Sequence, residues 1–196
     1  MGDKIKCMDN KDFEKYLNKV RNNISNIHNQ FYVLRALRNN DYKNIYDRNN
    51  YFWGVMLYSL ENCFFLELPR LFERNEKQRV ISIYSLLEFL PENKEKDGIL
   101  EKIDSYGNTI YNLKKRRDKI YAHEDEEVFL NRDDFLKKHL IKWEEVENII
   151  KLTETLLGDI ETEFTNTGSS CSYTYKGFEN ESESDVKDIM GRLGRH

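Results

Sequence analysis

The sequence predicts an all-α fold, an antiparallel bundle of four to five main helices followed by a short C-terminal helix. Three observations predict it. Apolar residues recur three or four apart over long stretches of the 196 residues, the spacing that lines one face of an α-helix. Two prolines and nine glycines are too few for the frequent turns of a β-sandwich or barrel. Aromatic residues make up 13% of the chain, which supplies a core even though 34% of the residues are charged. The length suits one helical domain over residues 1–165, with residues 166–196 as a polar loop and short helix docked on it.

Taken in order, residues 12–38 carry Phe13, Leu17, Val20, Ile24, Ile27, Phe31, Leu34 and Leu37 as one continuous stripe, which predicts a long amphipathic helix. The polar tract 39–50 reads as a connection. Residues 51–74 (YFWGVMLYSLENCFFLELPRLFER) predict a second helix that is apolar nearly all round, and so is expected at the centre of the fold. Pro69 lies inside it, removes a backbone donor and predicts a kink near residues 65–68. Glu67 and Arg70, three apart, suit an intrahelical pair. A short helix is expected over 81–90, ended by Pro91. After the charged segment 92–98, another runs to about residue 121, with Ile99, Leu100, Ile103, Tyr106, Ile110 and Leu113 facing inward. The acidic tract 124–127 ends that periodicity, and Asn131 or Asp133 suits the cap of a helix carrying Leu136, Leu140, Trp143, Val146, Ile150, Leu152 and Leu157 to about residue 164. Beyond residue 165 the chain turns polar and aperiodic, until Ser184 and Asp185 open a short helix with Val186, Ile189, Met190 and Leu193.

Composition excludes several functions. No apolar run approaches the roughly twenty residues that span a bilayer, so no membrane partner is expected. Residues 1–10 lack a signal-peptide core, and the scattered Cys7, Cys63 and Cys171 suit neither a disulfide framework nor a zinc site, so a cytoplasmic location is expected. A formal charge of −4 excludes a globally basic nucleic-acid binder, which confines any RNA contact to a local patch. There is no glycine-rich phosphate loop. His28 sits among Ile24, Ile27 and Phe31 as a packing residue, His139 has no acidic or cysteine partner at ligand spacing, and His196 is terminal. No metal and no cofactor are expected.

The segment 113–127, LKKRRDKIYAHEDEE, is the most unusual in the chain. Five of the six residues Lys114 to Lys119 are basic, and four acids follow His123 directly. One explanation is structural: a basic last turn complements the negative end of the helix dipole, each charge contributing about 0.3–1 kcal/mol. The other is ribonuclease chemistry. Histidine moves protons near neutrality, and arginine grips phosphate through a planar fork that keeps its charge. Arg117, Asp118 and His123 bring a phosphate-stabilising cation, an acid able to fix its rotamer and a proton-transfer group within seven residues. At about 100° per residue Arg117 and His123 stand some 120° apart on a regular helix, whereas Arg116 is within about 20° of His123 but roughly 10 Å along the axis. Either the helix loosens before Ala122 and brings Arg117 round, or Arg116 is the partner. Lys114, Lys115 and Lys119 form a candidate phosphate track. Tyr121 is the candidate for stacking on a base, Tyr106 and Tyr111 being read as core.

The stretch 117–125, RDKIYAHED, resembles the arginine–polar–spacer–histidine signature of HEPN domains, helical bundles common in prokaryotic defence and toxin systems. The aromatic-rich segment 51–74 resembles the second helix of the abortive-infection U-type HEPN family, and the likeness covers about residues 13–164. It implies a homodimer whose two motif helices build one cleft, with a metal-independent endoribonuclease acting as a toxin or antiviral effector, and a cognate antitoxin or defence partner. It also implies Arg117 as the phosphate-stabilising arginine, Asp118 as its polar neighbour and His123 as the catalytic histidine. The five-residue spacer is longer than the superfamily's commonest form, which keeps Arg116 open. A HEPN module without catalysis, binding nucleotide, RNA or a protein, is the alternative.

Overall fold

The computed structural model describes residues 10–38, 40–74, 80–122, 125–166 and 181–194, and the regular structure among them is entirely helical. Cys7, Cys171, His196 and most of the polar loop expected after residue 165 lie outside the described residues. Cys63 is an exposed free thiol.

Helix α1 (Asn10–Leu37) is the axis of the bundle. Each of its eight stripe residues is at most 8% exposed, so its burial follows directly from the 3.6-residue period. Helix α9 (Trp143–Asn166) runs antiparallel to it. Phe13, near the start of α1, stacks on Phe164, near the end of α9, while Phe31 packs against Trp143 at the opposite ends. At about 1.5–3 kcal/mol per fully buried large apolar side chain, this seam is a principal source of stability. Buried His28 joins the same two helices, its Nε2 3.1 Å from Thr153 Oγ1 and its Nδ1 3.0 Å from Glu154.

Helix α3 (Asn50–Glu67) departs from expectation. Instead of lying central, it buries only Phe64 and Phe65 near its C-terminal end, and leaves Tyr51, Phe52, Val55, Met56 and Tyr58 between 47% and 85% exposed. Its Trp53, Leu57 and Leu60 pack on a small second cluster built from Ala36, Leu37, Val186 and Met190. One side of α3 therefore has partners and the other faces outward. An all-round apolar pattern says how much surface a helix can bury, not how many neighbours it finds. At Leu68 the α-helix gives way to a 3-10 turn, Leu68–Phe72, with Pro69 at its start, because proline cannot supply the next helical donor. Glu67 and Arg70 pair at 3.1 Å.

The tract 39–50, expected as a bare connection, contains α2 (Lys43–Arg48). Ser82 caps α4 (Ile83–Leu87) in a reciprocal capping box with Ser85. The helix expected to continue to residue 121 is instead three pieces. Asn93 caps α5 (Lys94–Ser105), the chain turns at Tyr106, α6 (Gly107–Arg116) restarts at a glycine, and residues Arg117–Tyr121 form a π turn. Glycine's low helix propensity makes residues 106–107 the natural place for the break. The last long helix is also divided. Short α7 (Glu126–Leu130) and α8 (Arg132–Lys138) precede it, His139 leaves the helical conformation, and α9 begins only at Trp143. Leu140, expected on the inner stripe, is 59% exposed as a result. The C-terminal α10 (Glu181–Leu193) opens three residues before Ser184 and buries Val186 and Met190. Among the described residues, no helix is long and apolar enough to cross a membrane.

Candidate functional site

The distinctive charge tract folds as the end of α6 followed by the π turn. The Ala122 N–H bonds the Arg117 carbonyl at 2.7 Å, an i to i+5 closure that widens the helix by one residue. The loosening thus falls between Arg117 and Ala122. His123 and Glu124 lie outside the described residues, so the geometry concerns the side chains around them.

The two adjacent arginines have different surroundings. Arg116 donates through Nε to the His139 carbonyl at 2.8 Å and through Nη2 to the Leu136 carbonyl at 3.5 Å, tying α6 to the end of α8. Those carbonyls are left without helical partners where α8 stops, so Arg116 serves as a C-terminal cap supplied from another element. Arg117 points to carboxylates instead. Its Nε donates to Asp118 Oδ1 at 2.8 Å, its Nη2 lies 2.7 Å from the same oxygen, and its Nη1 bonds Glu73. Burial by itself lowers the Arg117 pKa, but the hydrogen bonds to Asp118 and Glu73 outweigh it and hold the group above the ordinary arginine value. Its side chain is only 15% exposed.

The other candidates are distributed around this turn. Lys114 is half-buried and donates to the Phe72 carbonyl at 2.6 Å, and burial pushes its pKa down. It therefore joins α6 to the 3-10 turn beneath the surface. Lys119 pairs with Asp125. Lys115 stands beside the Tyr111 ring, its Nζ 5.4 Å from the centroid. Tyr121, expected to offer a base its face, stacks one face on Phe65 with centroids 5.0 Å apart and planes 3° apart. Its hydroxyl donates to Glu61 at 3.5 Å, and burial followed by the Glu61 charge pushes its pKa up to about 12. Glu61 also pairs with Arg38 at 2.7 Å, which fastens the π turn through α3 to α1. Conversely Tyr111, read as core, is 52% exposed.

Glu73 was not legible as a site residue. It follows the 3-10 turn that Pro69 begins, 44 residues before Arg117, and only the folding of α3 against the π turn brings the two together. A carboxylate just beyond a proline-broken helix was the one available signal, and it is a common pattern. Among the described residues, no three His, Cys, Asp or Glu side chains converge as a metal site requires.

Comparison with known families matches residues 10–189 to HEPN AbiU2, described as AbiU2. The match spans most of the chain. The protein belongs to the AbiU2 family of HEPN domains. It is accordingly an all-α, abortive-infection-related HEPN domain, a class whose members often dimerise and act in defence systems. No curated protein and no solved structure matches the chain.

Proposed function

We propose that this AbiU2 protein is a metal-independent endoribonuclease of a phage-defence or toxin–antitoxin system, working as a homodimer in the cytoplasm. The observation that carries the reading is Arg117, a largely buried arginine on a π-widened turn six residues before His123, oriented by Asp118 and Glu73. The ribose 2′-hydroxyl attacks the adjacent phosphate, the P–O5′ bond breaks, and the products carry a 2′,3′-cyclic phosphate and a 5′-hydroxyl. His123 accepts the 2′-hydroxyl proton or delivers one to the leaving 5′-oxygen. Arg117 stabilises the added charge of the phosphorane. Arg116, occupied by the carbonyls of α8, is the weaker candidate for that role. The outward face of α3 supports pairing with a second copy. From Asn50 to Leu60 it carries no charge, and the same helix, through Glu61 and Phe65, touches the motif turn.

One observation favours the second reading, a HEPN module that binds without cutting: two carboxylates already neutralise Arg117, and a phosphate must displace one of them. Incubating purified protein with mixed cellular RNA and a chelator separates the two. The nuclease reading expects cleavage that His123→Ala slows by about 10²–10⁴-fold with the fold intact. Cleavage at the parental rate in that variant contradicts it.

A further inference from the structure

Between α6 and α8 the structure holds a pocket of about 360 Å³, within the size range of small-molecule sites. Tyr111 and Lys115 come from α6, Lys119 from the π turn, and Phe135, Lys138 and His139 from α8 and its end. Three rings meet here: the His139 centroid is 4.7 Å from Phe135 and 6.0 Å from Tyr111. Buried His139 is fixed by Asn112 Oδ1, 2.9 Å from its Nδ1, so it serves as a rigid floor. Among the described residues neither Lys115 nor Lys138 forms an ion pair, while Lys119 is held by Asp125 and the rim carboxylate Asp134 pairs with Lys137 at 3.6 Å. An exposed tyrosine beside Lys115 and Lys138, two lysines that pair with no carboxylate among the described residues, is poorly explained by packing. A half-exposed ring gains little from burial, and like charges brought together cost energy unless an anion joins them.

We propose that this pocket is a subsite for one unpaired nucleotide of a single-stranded RNA, with its base against Tyr111 and Phe135 and its phosphate among Lys115, Lys119 and Lys138. Aromatic faces accept any base, and the lysines supply the charge that tracks a backbone. A duplex offers neither an open base face nor the required approach. Lys119 stands on the π turn itself and Lys115 lies four residues before it, so the pocket adjoins the motif turn. The subsite rests on the reading of that turn as an RNA site and names the form of RNA it takes.

The test is fluorescence anisotropy with a labelled short single-stranded RNA, in the His123→Ala background so that no strand is cut. Tyr111→Ala and Lys138→Glu each weaken binding about tenfold, Tyr111→Phe retains it, and a blunt duplex of the same sequence competes poorly. Both positions are exposed, so thermal melting close to the parent's shows that folding is not the cause. Parental affinity in both variants, equal competition by duplex, or no RNA binding by the parent overturns the subsite. Unchanged binding in the variants alongside cleavage that depends on His123 removes the subsite and leaves the nuclease. The tenfold losses without any cleavage by wild-type protein do the reverse.

Discussion

Helices α1 and α3 are both rich in large apolar residues, yet the fold treats them oppositely. In α1 these residues occupy one stripe, and all eight are buried. In α3 they surround the helix, and five large ones between Tyr51 and Tyr58 stay exposed. A stripe states where the neighbour is. An all-round pattern leaves that open, and here a single chain supplies neighbours for one side only. The unmatched side is where a further interaction can be stabilised without disturbing the core.

The largest contrast is in stability. Leu17→Ala or Phe31→Ala should cost about 3–5 kcal/mol by urea unfolding, since each empties a fully buried site. Tyr51→Ala or Val55→Ala should stay within about 0.5 kcal/mol when monomeric protein is compared. Equal costs for the two helices would break the comparison. A sharper form asks for assembly: Val55→Glu combined with Tyr58→Glu should convert a dimer to monomer in sedimentation, whereas an exposed change on α9, such as Lys151→Glu, should not. A dimer that survives the α3 double variant removes α3 from the interface.

Smaller effects test the motif turn. Glu73→Gln should cost about 1–2 kcal/mol, because it weakens a charged hydrogen bond to a largely buried arginine. The matching change Glu67→Gln, on the exposed Arg70 pair, should be nearly silent. Least in energy is His139. Burial, then Lys138, Lys115 and Arg116, lower its pKa below the ordinary histidine value. The neutral ring is therefore favoured in the fold. Its contribution is complete above about pH 6.5 and is lost as pH falls below that, while the unfolded chain takes up the proton first. NMR titration should show His139 titrating below about 6.5 and moving upward in Lys138→Ala. A titration unmoved by that change would mean the lysine does not act on the ring.

Much of this was legible in one sequence. The α1 stripe, the break at Pro69, the helical class and the charge tract all follow from local rules: periodicity, a missing backbone donor and the spacing of charges. What was not legible depends on long-range contact. Nothing local marks Glu73 as the partner of Arg117, nor shows that Arg116 spends its donors on carbonyls 20 and 23 residues away. Tyr111 and Tyr121 look alike in sequence, and only the stacking of Phe65 separates the covered ring from the open one. At the stop at His139, Asn112 holds the ring and Arg116 the carbonyl, long-range contacts that the pattern after Asn131 could not reveal.

The most direct test of the whole account is the chemistry of the cut ends. RNA incubated with wild-type protein in chelator should yield fragments ending in 2′,3′-cyclic phosphate and beginning with a 5′-hydroxyl, and His123→Ala should yield none on the same timescale. Fragments with 3′-hydroxyl and 5′-phosphate ends, or identical products from the variant at the parental rate, would contradict it.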